Sequence, residues 1–481
     1  MPGVPYSKAC DACRKVKKKC DELQPCSRCT RLQLPCAGSG QRRFKFKNTE
    51  WRQTKSSSTR ADGSKQVVNL PMSQNPTNPL LARFINISGV SDIRFDISYY
   101  GEFLKDLPRR FGHSAVLDAA AKALVSSYPY FCGREVPRDV LVLHGKSLRV
   151  LRESLDDPVQ ARSPNTLCAV YLISICQDWI SKSEKQYSCH GEAIAHLLRI
   201  VDLKKCTGEF EKRLIITASV LVVLERWPKP RLQMTPKFWG DVSALIKQSF
   251  PIRQSDNIPR PTISIMSILK FEEYLRNPYP HIADITSAYE KLRDDEYRIS
   301  KYLDQCGPID KAGFSSFEVV QLSGYRAAYD VVIALAVVLN NILRAFDPTN
   351  ATLAGDSAFL CEKTLAEAEL AFHYRPLGAA HVIPCLAIAL AFAEDPHQMS
   401  RIECVLSEYQ TYYGEGQWKK LAIWLRAVLQ CHRGQGGSLA STNVDPSVFV
   451  VPGAFCMMLL KAFGNMVGAS VHLDSRLLAP R

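Results

Sequence analysis

Few stretches of this 481-residue chain are apolar for long: runs such as Val331–Leu339 span nine residues, where a bilayer-crossing helix needs about 20. The N-terminus, MPGVPYSKAC, has no apolar core of the kind that directs secretion. Catalytic signatures are also missing. There is no G-x-x-x-x-G-K-[ST], no G-x-S-x-G, no H-E-x-x-H and no calcium-loop pattern. His190, Glu192 and His196 suggest a metal site, but a spacing of six turns the two histidines roughly 240° apart on a helix. Cys189-His190 and Cys431-His432 are sequence neighbours, which does not set a thiol against its base. No run alternates Val, Ile and Thr as strands would. No acidic, aromatic-studded tail closes the chain. These absences point to a soluble, intracellular, reduced protein without catalysis.

What is present is concentrated at one end. Residues 1–60 hold 15 Lys and Arg against 4 Asp and Glu, so +11 of the formal charge of +14 lies there. Such asymmetry predicts a polyanion partner. Seventeen cysteines are divided just as unevenly. Eleven are scattered singly from Cys132 to Cys456, as small buried hydrophobes usually are. The other six fall at Cys10, Cys13, Cys20, Cys26, Cys29 and Cys36. Their spacing is one unit, C-x2-C-x6-C, written twice. Each C-x2-C sets two thiolates about a helical turn apart, a spacing suited to tetrahedral zinc. Two separate sites would need eight sulfurs, so six imply a two-zinc cluster in which two are shared.

The stretch CDACRKVKKKCDELQPCSRCTRLQLPC resembles the binuclear zinc cluster, Zn2Cys6, of fungal transcription factors. The resemblance implies that the first and fourth cysteines bridge. One Zn2+ would then take Cys10, Cys13, Cys20 and Cys26, and the other Cys26, Cys29, Cys36 and Cys10. In the family the module places a helix in the major groove, and two lysines near its end read a CGG-type triplet. By position these are Lys17 and Lys18, with Arg14, Lys15 and Lys19 as phosphate contacts that position without specifying. Val16 stands where the family usually carries a basic residue. The second half, with Thr30, Leu32, Gln33 and Leu34, is expected to pack against the first and brace it. Pro25 helps set the turn between them.

Residues 1–40 are thus read as the DNA-binding domain. Residues 41–79 form a basic flexible linker rich in Gly, Ser, Thr, Asn, Gln and Pro. The remaining 80–481 form a large helical body. Its periodicity predicts helices at Ser114–Tyr128, Pro137–Leu155, Pro164–Ile180, Ser188–Leu203 and Glu209–Trp227, then a proline-broken stretch. Beyond it come Ile282–Gln305, Phe314–Phe346, Ser357–Tyr374, Val382–Ala393, Arg401–Tyr413, Gln417–His432 and Gly453–Val467. The Val331–Leu339 segment reads as the centre of a buried helix. The fold expected is all-α, in stacked hairpins or two lobes, and the body weakly resembles the regulatory domain of fungal zinc-cluster factors.

The function implied is a nuclear, zinc-dependent regulator of RNA polymerase II transcription that binds double-stranded DNA. By family analogy its targets include a biosynthetic gene cluster. The body would regulate by sensing a metabolite, dimerising or recruiting the transcription machinery. Residues 41–79 lack apolar heptads, and Pro71, Pro76 and Pro79 oppose a coiled coil. Pairing would therefore run through the body. The competing reading is a helical interaction scaffold with a structural zinc module; a third is a helical enzyme carrying that module.

Overall fold

The computed structural model describes residues 10–36 and 77–434. Excepted in the first stretch are 11, 14, 15, 17, 22, 24 and 35, and in the second 132–134, 181–189, 202, 204–205, 227–231, 250–258, 308–313 and 414–416. Most of the 41–79 linker and the helix expected at Gly453–Val467 lie outside the described residues. The chain divides into two compact units, Met1–Met72 and Ser73–Arg481.

Among the described residues of the first unit the interior is sulfur. Cys10, Cys13, Cys26 and Cys29 are buried, and Ala12, Cys20 and Cys36 pack around them. The one helix described in full here, α1 (Ser27–Arg31), starts where the Cys26 side chain accepts the Cys29 N–H.

The second unit is all-α, with no strand among its described residues. Its helices are α2 (Thr77–Ser88), α3 (Ala115–Ser127), α4 (Arg138–Asp156), α5 (Pro164–Ile180), α6 (His190–Ile200), α7 (Glu209–Arg226) and α8 (Pro236–Ser249). After α9 (Ile265–Arg276) come α10 (Ile282–Cys306), α11 (Ser316–Phe346), α12 (Ala351–Ala371), α13 (Val382–Phe392), α14 (Pro396–Tyr413) and α15 (Gln417–Gly434). Helices α3 and α5 pack together and against α4, while α11 lies among α10, α12, α13 and α15. The helix α9 touches α7, α8 and α15, linking the two groups. One continuous apolar core runs from Leu80 to Leu429.

Local chemistry explains the boundaries. Ser315 Oγ accepts the Glu318 N–H at 3.3 Å and the Glu318 carboxylate accepts the Ser315 N–H at 2.7 Å, a capping box that starts α11. From there 31 residues run unbroken to Phe346. This helix is long and apolar enough to cross a membrane, yet 94% of its most apolar window is buried inside the protein. Helix α13 is buried at every one of its 11 residues. Buried on nearly every side over these stretches, both are core helices here.

Three departures from the sequence reading have physical causes. The proline-broken stretch holds two helices, because Pro236 occupies the first turn of α8, where no N–H is needed, and Ser264 caps α9. Helix α12 starts at Ala351 rather than Ser357, since Asn350 accepts the Leu353 N–H. Ahead of α3 the chain forms two 3-10 segments, Ile97–Tyr100 and Glu102–Arg110, hinged at Gly101 with φ 140°. A Cβ there would lie 2.6 Å from the Phe103 ring. In α4 the inward face is Val140, Ser147 and Leu151, while Leu141 is 42% exposed. One residue is about 100° of helix turn.

Gly145 in α4, Gly240 in α8 and Gly355 in α12 are exposed helix-interior glycines, and a Cβ at each would meet nothing within 4 Å. Each Gly→Ala change is therefore expected to stabilise the body by about 0.5–1 kcal/mol. Urea midpoints of the single and triple variants check this; a lowered midpoint at any site would contradict it.

Candidate metal centre and nucleic-acid interface

The N-terminal module is built as two copies of one local structure, offset by 16 residues. In the first, the Cys13 N–H donates to Cys10 Sγ at 3.4 Å and the Cys10 N–H to Cys20 Sγ at 3.4 Å. In the second, the Cys29 N–H donates to Cys26 Sγ at 3.4 Å and the Cys26 N–H to Cys36 Sγ at 3.4 Å. The Lys18 N–H reaches the Cys13 carbonyl at 3.0 Å as the Leu34 N–H reaches that of Cys29 at 2.9 Å. The copies face each other through sulfur: Cys10 Sγ lies 3.7 Å from Cys29 Sγ, and Cys26 Sγ 3.8 Å from Cys13 Sγ. Cys10 and Cys26 Sγ are 3.7 Å apart at the centre.

These contacts gather the thiols into two overlapping groups. Cys10, Cys13, Cys20 and Cys26 form one and Cys10, Cys26, Cys29 and Cys36 the other, with the sulfurs of each within 4.8 Å of one another. None of the six is in a disulfide. A disulfide would bring two sulfurs to about 2.05 Å. The edge of a tetrahedron with 2.3 Å metal–sulfur bonds is about 3.8 Å, which is the spacing seen. An all-thiolate set of four suits a soft or borderline ion, zinc among them. The donor set therefore fits zinc in chemistry and in spacing.

Residues 8–45 match the family model of the fungal Zn(2)-Cys(6) binuclear cluster domain. This stretch is a fungal-type binuclear zinc-cluster domain. This family is a class of DNA-binding regulators rather than of enzymes, and zinc is its metal. No curated protein and no solved structure matches the chain.

The basic residues of this module are described in part. Lys18 and Lys19 are exposed, as is Val16 at 52%; Arg14, Lys15 and Lys17 lie outside the described residues. The offset of 16 shows how far the two copies have diverged. Positions 14, 15, 17, 18 and 19 are all basic, whereas their counterparts are Thr30, Arg31, Gln33, Leu34 and Pro35. Cationic charge is thus concentrated on the first copy, with Arg28 and Arg31 on the second.

The bracing expected of the second half takes a different form. Thr30, Leu32, Gln33 and Leu34 are all exposed, because the interior of so small a module is filled by sulfur. Gln33 adopts φ 48°, which turns the chain back toward Cys36. Two contacts that the sequence reading missed hold the halves instead. The Asp21 carboxylate accepts the Ser27 hydroxyl and, at 2.9 Å, the Ser27 N–H. Those bonds, the hydroxyl first, hold its carboxyl below the usual carboxylate range. Arg28 Nη1 points at Cys13 Sγ across the module at 3.9 Å. The sequence carries a signal for the second: Arg28 aligns with Ala12 when one half is laid on the other.

Proposed function

We propose that the chain is a zinc-cluster transcription factor that reads CGG-like triplets in double-stranded DNA through residues 10–36 held by two Zn2+ ions. In this reading one zinc takes Cys10, Cys13, Cys20 and Cys26, and the other Cys10, Cys26, Cys29 and Cys36. Lys17 and Lys18 contact base edges, while Arg14, Lys15 and Lys19 contact phosphates. The protein works in the nucleus, and its targets include a biosynthetic gene cluster. The helical body regulates, through homodimer formation or contacts with the transcription machinery. The observation that carries this reading is the pair of four-sulfur groups sharing Cys10 and Cys26, beside a run of five cations within six residues.

The test is selection by the full-length chain from a pool of randomised duplex DNA, with and without a chelator. Enrichment of a CGG-like triplet that vanishes with chelator is the expected result. Salt-sensitive binding with no enriched sequence would instead favour the scaffold reading. Lys17→Ala is expected to cost about 1–3 kcal/mol and to relax the triplet preference, as loss of a base contact does. Lys15→Ala should weaken binding to all sequences alike and reduce the salt slope by about 1. Affinity titrations over a salt series separate the two. An unchanged preference in Lys17→Ala would move the reading residue elsewhere.

A further inference from the structure

We propose that Arg28 is a positioning residue of the metal centre, pairing with the Cys13 thiolate across the module and making the two four-sulfur sites unequal. The proposal rests on the reading of the six cysteines as a two-zinc cluster. Three observations lead to it. First, the two halves match contact for contact in their sulfur bonds: the same pair of N–H···S bonds at 3.4 Å, and the same cross-module sulfur spacing of 3.7 and 3.8 Å. Second, Arg28 breaks that symmetry. Its Nη1 lies 3.9 Å from Cys13 Sγ, while the residue 16 positions earlier, Ala12, offers Cys29 no side-chain donor. Third, the Arg28 side chain is half-buried although it sits on a small module whose other described cations, Lys18, Lys19 and Arg31, are exposed.

The physical consequence follows from charge. Six thiolates around two divalent ions leave the cluster with a net negative charge, spread over its sulfurs. A guanidinium against one sulfur offsets part of it and holds that ligand's direction, as outer-shell partners of metal ligands do. Cys13 belongs to the first group only. Arg28 therefore secures the site nearer the basic copy, and does so from the opposite half. That ties the orientation of the second half to the half that carries the cations. It also gives the second half a bracing role that its exposed leucines do not supply.

The test uses the full-length chain loaded with cadmium, whose resonance position reports the surroundings of each sulfur site. Wild type is expected to show two cadmium resonances. Arg28→Ala should move the resonance of the Cys13-containing site while displacing the other much less. In the zinc-loaded protein, release to a chelator should be biphasic, and Arg28→Ala should speed the slower phase by roughly tenfold or more. Arg28→Lys, which keeps a charge and a donor, should restore part of both readouts. Arg28→Gln, a milder change, serves if the alanine variant does not hold metal. Two resonances left unmoved by Arg28→Ala, with DNA affinity and salt slope lowered, would overturn the proposal and make Arg28 a phosphate contact. A single resonance in wild type would overturn the two-metal reading itself, and the proposal with it.

Discussion

Replacing Cys26 by alanine is expected to strip both metal sites and abolish specific DNA binding, an effect that only loss of Cys10, the other shared sulfur, should match. Cys26 is fully buried and stands in both four-sulfur groups. Its sulfur lies 3.7 Å from that of Cys10 and 3.8 Å from that of Cys13, and it also accepts the Cys29 N–H that begins α1. In small metal modules, binding free energy of about 10–16 kcal/mol is the folding free energy. Among the described residues of the module the buried ones are cysteines, with no apolar core to fall back on. Zinc counted by native mass spectrometry should fall from two ions per chain toward none. Cys36→Ala, which touches only the second group, should retain the first ion more readily. Thermal unfolding of the helical body should be unchanged in both variants, because it is a separate compact unit. Two zinc ions per chain in the Cys26→Ala protein would end the shared-sulfur assignment.

The second large effect belongs to the body. Arg326, on α11, reaches Glu367 of α12 at 3.0 Å and the Gly307 carbonyl at 3.2 Å, with both side chains nearly buried. Asp330 lies one turn further along α11, paired with His381 at 2.8 Å. Burial, and then the nearby Asp330, push the Glu367 carboxyl up to about 7, against the pull of Arg326. Removing one member of a buried pair costs about 3–5 kcal/mol, because the other charge is left stranded. Arg326→Ala is expected to destabilise the body by that amount above pH 8.

The loss should be smaller near pH 5, where Glu367 holds its proton in the folded state and little charge is stranded. The same linkage acts in the wild-type protein. A carboxyl whose folded value is raised favours folding below its unfolded value near 4.5, and this contribution is lost as pH rises through about 7. Glu367→Gln should flatten that part of the stability profile and, combined with Arg326→Ala, recover part of the loss at pH 8. Urea unfolding at pH 5 and pH 8 measures both. An equal loss at the two pH values, unrelieved by Glu367→Gln, would show that Arg326 acts through packing alone.

Much of the fold was legible in the chain. Helix α5 begins and ends at Pro164 and Ile180 as its apolar pattern predicts, and α13 ends one residue short of the expected Ala393. Those segments are apolar enough that any packed state must bury them. Prediction failed where a start signal is a single side-chain bond. Asn350 at α12 and Ser264 at α9 are caps only because their oxygens find the right N–H groups. It failed again around Gly101, where a short 3-10 path follows from backbone freedom rather than from periodicity.

The metal site divides along the same line. Sequence by itself determined that six thiols in a repeated spacing sit within a cationic end of the chain, and that the rest is a helical body. Thiolate chemistry and hydrophobic periodicity are local properties, set by residue type and interval. Only the tertiary structure decided that Leu32 and Leu34 stay exposed while Arg28 crosses to Cys13. Only it paired Arg326 with Glu367, 41 residues away. Such contacts join segments whose spacing in sequence carries no trace of their meeting. They arise because burying sulfur in one unit, and apolar helices in the other, leaves certain polar groups a single place to go.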